Sequence, residues 1–288
     1  MAYRKIVVPV TGGPRDTAVT KAALEIAKTF ESWTTALFVR PDVSEVLPYL
    51  GEGISAGVVQ EILDASAEAA KKSGQVAKTS VAGAAAEVGV PLQDGPPIGG
   101  NASVSFRVRQ GVMSDVYYEE ACLADLFVFD GAAIPEMPNL RDALETVLLS
   151  ARRPVMLMPA QPWGHIGAKI AVAWDGGLAA SHAVTSAMPW LKRARAVEIL
   201  SVGPGATATA EMDRLRDYLR VQGVSAVEHS LTPGDLGAGA AIVDAAQRAG
   251  ADLLVMGGYG HSRLRELILG GVTRHVLNNV TMPVFMAH

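Results

Sequence analysis

The sequence predicts an α/β protein made of two tandem domains, each an open, mainly parallel five-stranded sheet with helices on both faces. Three observations carry that expectation. The chain repeats itself in three ordered places, and short apolar runs alternate with stretches of helical periodicity. Its 288 residues are also about twice the length of an ordinary domain.

The repeats set the organisation. Lys5-Ile6-Val7-Val8-Pro9-Val10-Thr11-Gly12-Gly13 lies over Lys169-Ile170-Ala171-Val172-Ala173-Trp174-Asp175-Gly176-Gly177 at an offset of 164. Both runs end in Gly-Gly before an Ala-containing helical stretch. Ala124-Asp125-Leu126-Phe127-Val128-Phe129 lies over Ala251-Asp252-Leu253-Leu254-Val255-Met256 at an offset of 127. Pro154-Val155-Met156-Leu157 lies over Pro283-Val284-Phe285-Met286 at 129. The fall from 164 to 127 gives the N-terminal copy 37 extra residues. A helical insertion near 41–83 accommodates them, because Val58, Val59, Ile62 and Leu63 recur there at helical spacing. Residues 159–164 form a Pro/Gly-bearing linker, so the domains are expected at 1–160 and 161–288.

The C-terminal copy then reads element by element. Residues 169–174 are a strand, 179–191 an Ala-rich helix and 196–202 a strand. Residues 208–222 place Met212, Leu215 and Leu219 on one helical face, followed by a strand at 226–231 and a helix at 238–249. A strand at 253–256, a helix at 271–279 and a strand at 284–286 complete the copy. Apolar strands separated by helices belong to a parallel sheet covered on both faces. Right-handed crossovers put ligands at the carboxyl ends of such strands, where strand order reverses.

Composition narrows the partners. Lys and Arg number 25 against 29 Asp and Glu, with net charge −4 and pI near 5.9, and the basic residues are scattered. That argues against a nucleic-acid partner held by phosphate contacts. No stretch approaches the ~18 apolar residues of a membrane span, and the first residues lack the apolar core of an export signal. Cys122 is the single cysteine, which precludes an intrachain disulfide and suits a reducing cytoplasm. Cys122 itself is expected to be a buried small apolar residue rather than a nucleophile. His165, His182, His229, His261, His275 and His288 show no metal-ligand spacing. No Walker-type phosphate loop occurs. Gly203-Pro204-Gly205-Ala206-Thr207-Ala208, with Glu228 twenty residues on, loosely matches the dinucleotide glycine pattern. It follows the second strand of its copy and contains proline, so it reads as a structural loop.

Chemistry concentrates in 256–273. Gly257 and Gly260 follow a buried strand, and Gly270-Gly271 open the next helix. Glycine lets backbone N–H groups approach an anion and permits positive φ, while a helix N-terminus offers free donors and a favourable dipole. Thr273 could add a hydroxyl, and Arg263, Arg265 and Arg274 add charge nearby. The plainer alternative is that the glycines only shape a connection, which the full spaced set weighs against. Asp175, just before Gly176-Gly177, could accept from an exocyclic amine or a ribose hydroxyl. It could equally be a turn or N-cap aspartate. Trp174 and Trp190 read as core, although Trp174 adjoins Asp175.

The spacing of Gly257, Gly260 and Gly270 resembles the universal stress protein family, whose hallmark is a strand ending in Gly, two residues, Gly, nine residues, then Gly and Ser/Thr. "VMGGYGHSRLRELILGGVTRHVL" and "MPVFM" look like that family's last helix and strand, and "AVAWDGG" like its first strand. The likeness covers both copies and suggests a tandem, Rossmann-like member. It implies an ATP- or other adenine-nucleotide-binding regulatory protein of the stress response, with Mg²⁺ as a potential companion of the nucleotide. By the resemblance, Asp175 and the backbone of Val202 hold adenine and ribose. Gly257, Gly260, His261, Gly270, Gly271, Val272 and Thr273 surround the phosphates, and Met256 belongs to the same nucleotide-binding set.

Two departures qualify this. Gly271 stands in the Ser/Thr position, which removes a hydrogen bond worth ~1 kcal/mol. His261 replaces a longer basic residue, which makes any phosphate contact there pH-dependent. The N-terminal copy departs further: Thr11 replaces Asp175, Asp130 replaces Gly257, and Arg141 and Asp142 replace Gly270 and Gly271. That copy is therefore expected to bind no ATP and to act as a structural pseudo-partner. The tandem chain could also form a homodimer. With no general base or Mg²⁺ carboxylate placed by the sequence, at most slow ATP hydrolysis is expected. The alternative is a structural or protein-interaction stress protein whose loop takes no nucleotide, which Gly271 keeps open. Nucleotidyl transfer is disfavoured because His182 sits well inside its helix.

Overall fold

The computed structural model describes residues 3–40, 56–97, 99–203, 206–233, 235, 237–260 and 271–288. The chain divides into two compact units, Arg4–Val128 and Phe129–His288, the latter joined by Met1–Tyr3.

In the first unit, β1 (Lys5–Val10), α1 (Asp16–Phe30), β2 (Trp33–Arg40), α2 (Ala56–Val88), β3 (Ser103–Gln110), α3 (Met113–Cys122) and β4 (Leu126–Asp130) follow one another, with β4 running on into the second unit. The strands lie in the order β3-β2-β1-β4, and these neighbours pair in parallel. The region where a helical insertion is expected overlaps the 33-residue α2, and 41–55 lie outside the described residues. Ala77, Val81, Ala84 and Ala85 recur at helical spacing and are buried, which seats the C-terminal half of α2.

The second unit continues with α4 (Pro138–Glu145), a π-turn (Thr146–Ser150), β5 (Val155–Met158), β6 (Lys169–Ala173), α5 (Leu178–Ser186) and α6 (Met188–Leu191). Then come β7 (Ala196–Val202), α7 (Ala206–Val221), β8 (Ala226–Leu231), α8 (Gly237–Arg248), β9 (Leu253–Gly257), α9 (Gly271–Asn278) and β10 (Val284–Ala287). Its strand order is β5-β10-β9-β6-β7-β8. All pairs are parallel except β5 with β10, where Phe285 faces Met156 in antiparallel register. Each repeat thus holds five strands in a mainly parallel arrangement, as the sequence predicts.

The contact boundary at Phe129 precedes the repeat linker because β5 pairs with β10 and Glu145 of α4 accepts from the Tyr259 hydroxyl. Tyr3 belongs there too: its ring lies 6.2 Å from that of Phe285, and its hydroxyl donates to Ser186 O at 2.6 Å.

The repeated aspartates have a physical reason. Asp125 Oδ2 accepts from Arg4 N and Lys5 N at 2.8 and 2.9 Å. Asp252 accepts from Gly167, Ala168 and Lys169 N–H groups at 2.9–3.1 Å. Each carboxylate clamps the start of its repeat's first strand, satisfying donors that lie ahead of the ladder.

Two expectations change. The helix expected at 179–191 breaks at Ala187, because Pro189 has no N–H to donate one turn back. Cys122 is exposed, not buried, since it ends α3 on the solvent side beside Leu123, itself 78% exposed. Met212, Leu215, Leu219 and Trp190 are buried as expected.

Candidate functional site

Strand order in the C-terminal repeat reverses at β6, which has β7 on one side and β9 on the other. Chains leaving β6 and β9 there diverge and leave a crevice beyond their carboxyl ends. A cavity of about 370 Å³ occupies it.

Its wall gathers residues far apart in sequence. Asp175, Val202, Met256, Gly257, Gly260, Gly271, Val272 and Thr273 all line it. His261 and Gly270 lie outside the described residues, as do Arg263 and Arg265. Arg274 is exposed on α9 and does not line the cavity. Gly203 opens the Gly-Pro-Gly loop with a φ of 154°, while Pro204 and Gly205 lie outside the described residues.

The first turns of three helices line the same cavity. They supply Ala179 and Ala180 of α5, Gly237, Ala238 and Gly239 of α8, and Gly271, Val272 and Thr273 of α9. None of these helices carries an acidic residue in its first turn. Backbone donors and dipole ends therefore face the cavity with no side-chain carboxylate of their own first turns to neutralise them. The α8 contribution is missing from the sequence reading. Gly237 and Gly239, opening the helix that follows the third strand of the repeat, are the signal that could have exposed it.

Asp175 takes the turn role considered for it and keeps its second carboxylate oxygen uncommitted among the described residues. Its Oδ1 accepts from Gly177 N at 2.8 Å, an Asx turn that shapes the entry to α5. Its Oδ2 has no hydrogen-bond partner among the described residues and points toward Gly260, where an added Cβ would lie 3.9 Å away. Trp174 is half-buried, lines the cavity, and is held by donation from its Nε1 to Glu211 O at 3.1 Å.

The motif glycines act for different reasons. None of Gly257, Gly258, Gly260 and Gly271 has positive φ; the residue that does is Tyr259, at 57°. Positive φ therefore does not explain these four glycines. A Cβ on Gly257 would meet Ala180 N at 2.6 Å, so this glycine lets β9 touch the backbone of α5. On Gly258 it would meet Met286 Sδ at 2.6 Å. Among the described residues, the nearest atom at Gly260 is 3.5 Å away, and at Gly271 nothing lies within 4 Å.

Tyr259 pins the loop. Its N–H donates to Thr273 Oγ1 at 3.2 Å, and its hydroxyl donates to Glu145 Oε1 of α4 at 2.8 Å. Burial, then the Glu145 carboxylate, holds the phenol above its usual range. Thr273 is buried, and its hydroxyl hydrogen stays available for a second partner. Among the described residues, no group of three His, Cys, Asp or Glu side chains could hold a metal ion, and no helix is long and apolar enough to cross a membrane.

The comparisons with known proteins follow this geometry. Residues 168–288 match the sequence model of the universal stress protein family. Among solved structures the chain is similar to a universal stress protein from Archaeoglobus fulgidus, 15% identical with a TM-score of 0.68. That match covers 98% of this chain and 95% of the other. It is also similar to a functionally unknown protein from Pseudomonas aeruginosa, 18% identical with a TM-score of 0.55, covering 99% and 92%. At such identities the likeness speaks for the fold, and it extends over both repeats. No curated protein matches the chain.

Proposed function

We propose, from the premise that residues 168–288 form a universal stress protein domain, that the C-terminal repeat binds ATP or another adenine nucleotide and that the protein acts through this binding as a regulator. The observation that carries the reading is the single cavity lined by Asp175, Val202, Gly260 and the first turn of α9. The unpartnered Asp175 Oδ2 accepts from the adenine amine or a ribose hydroxyl, with Trp174 and Val202 as the wall for the base. The phosphates lie against Gly260 and the free N–H groups that open α9, where the helix dipole favours negative charge. Any Mg²⁺ arrives with the nucleotide.

The N-terminal repeat takes no nucleotide in this reading. Thr11 offers no carboxylate, and its backbone N–H and that of Gly12 are already bound by Asp16, at 3.1 and 2.7 Å. A Cβ on Gly12 would meet Ser73 O of α2 at 2.6 Å, so α2 already presses on that loop.

Calorimetric titration of the full chain with ATP, ADP, AMP and cyclic AMP tests the proposal. Binding by at least one is expected, and Asp175→Ala weakens it by roughly tenfold or more, as loss of a charged hydrogen bond does. If no adenine nucleotide binds, the protein is instead the structural or interaction module that Gly271, lacking a hydroxyl, leaves open.

A further inference from the structure

We propose that the first unit holds a second, separate binding site, for an amphipathic anion, between α2 and the carboxyl ends of β2 and β3. A cavity of about 260 Å³ lies there. The carboxyl ends of parallel strands are where open α/β sheets take ligands. No residue of this cavity belongs to the nucleotide site.

The floor is apolar by strand alternation. Phe38 and Arg40 lie two apart on β2 and so share a face, and Phe38 pairs with Val108 while Ala36 pairs with Phe106 on β3. Phe38, Phe106 and Val108 all line the cavity, and Phe38 is only 4% exposed. The roof is one face of α2, with Lys71, Gly74 and Lys78 at helical spacing. Gly74 lies inside a helix, where glycine is unfavourable relative to alanine. A Cβ there would stand 3.1 Å from the Phe38 ring, so the glycine brings the helix down onto the aromatic floor.

The rim is cationic and unspent. Arg40, Lys71 and Lys78 line the cavity, and no carboxylate among the described residues does. The side chains of Arg40 and Lys78 have no ion-pair partner among those residues. Lys71 meets Glu68 at 3.9 Å with both about three-quarters exposed, a contact of little strength. The opposite face of β3 differs. There Arg107 covers the Trp33 ring at 5.2 Å, and Arg109 is paired with Glu119 and Glu120 at 2.6 and 3.2 Å. Free positive charge is thus gathered on the α2 side beside an aromatic floor. The matching ligand has a ring or short acyl body and one carboxylate, sulfonate or phosphate head.

Anilinonaphthalene sulfonate tests this in the full chain. Saturable fluorescence enhancement is expected in the presence of excess ATP, with displacement by decanoate and none by inorganic phosphate at equal concentration. The double variant Arg40→Glu/Lys78→Glu weakens probe binding by at least about tenfold, since each reversal replaces attraction by repulsion. Its thermal unfolding and ATP titration stay unchanged; if the double variant is unstable, Lys78→Gln alone should still weaken the probe measurably. Absence of probe binding, displacement by ATP, or undiminished binding in a folded charge variant would overturn the proposal. Loss of ATP binding elsewhere in the chain would leave it standing.

Discussion

Gly258, after β9, and Gly131, after β4, occupy equivalent places in the two repeats and donate to equivalent carbonyls. Gly258 N reaches Ala287 O, and Gly131 N reaches Met158 O, each at 2.8 Å. Both are also crowded: an added Cβ would lie 2.6 Å from Met286 Sδ at Gly258 and 2.8 Å from Val280 Cγ1 at Gly131. One residue earlier the repeats part. Gly257 touches the backbone of α5, whereas Asp130 turns back to accept from Ala132 N at 3.1 Å. From Asp130 to Arg141 the N-terminal turn is also two residues shorter than from Gly257 to Gly270, as the change of offset from 127 to 129 records. The lesson is that a glycine shared by both repeats serves the fold. A glycine in one repeat alone needs its own explanation. For Gly257 that explanation is packing, whereas among the described residues Gly260 and Gly271 have no neighbour close enough to supply one.

The largest test of that division is Gly257→Ala. Its methyl would enter backbone that cannot move away cheaply, so about 1–3 kcal/mol of stability should be lost, as in overpacked cores. Differential scanning calorimetry would read this as a fall of several degrees, since ~1 kcal/mol shifts a domain of this size by roughly 2–4 °C. Gly260→Ala, entering ordinary contact distance, should shift melting by less than ~0.5 kcal/mol. Equal shifts for the two would erase the distinction.

Next comes Gly271→Asp, which places a carboxylate at an uncrowded helix start. Folding should be retained while ATP affinity falls by about tenfold or more, ~1.4 kcal/mol. Undiminished ATP binding in this variant would remove α9 from the site.

Tyr259→Phe should cost roughly 1 kcal/mol in chemical denaturation, the usual worth of one hydrogen bond. The Arg141–Glu145 ion pair at 3.3 Å remains after the change. A loss near zero would mean that Glu145 does not hold the loop. The smallest effect belongs to Thr11→Ala, which should leave ATP affinity unaltered; a measurable weakening would bring the N-terminal repeat into nucleotide binding.

Much of the architecture could be read before the structure because strands and helices here follow their hydrophobic periods. The elements of the C-terminal repeat fall within a few residues of their expected ends, and the repeated Asp125 and Asp252 prove to be strand clamps. The exposure of Cys122 runs against its expected burial because small apolar character says nothing about which side of a helix end faces solvent. The break at Ala187 was available from Pro189 but was outweighed by the alanines around it. At the site, Asp175 and the glycine spacing pointed to one place in space. Gly237 and Gly239 carry no local pattern of a binding site, because α8 reaches the cavity from the third strand rather than from the strands flanking the switch point. The bond from Tyr259 to Glu145 joins residues 114 apart in sequence, across the repeat linker, where no local pattern could announce it.

The central claim is that one repeat alone holds a nucleotide. Calorimetric titration of the unmodified chain with ATP tests it most directly through stoichiometry. The account predicts a single site per chain that disappears in Gly271→Asp. Two sites per chain, or a single site that persists unweakened in that variant, would contradict it.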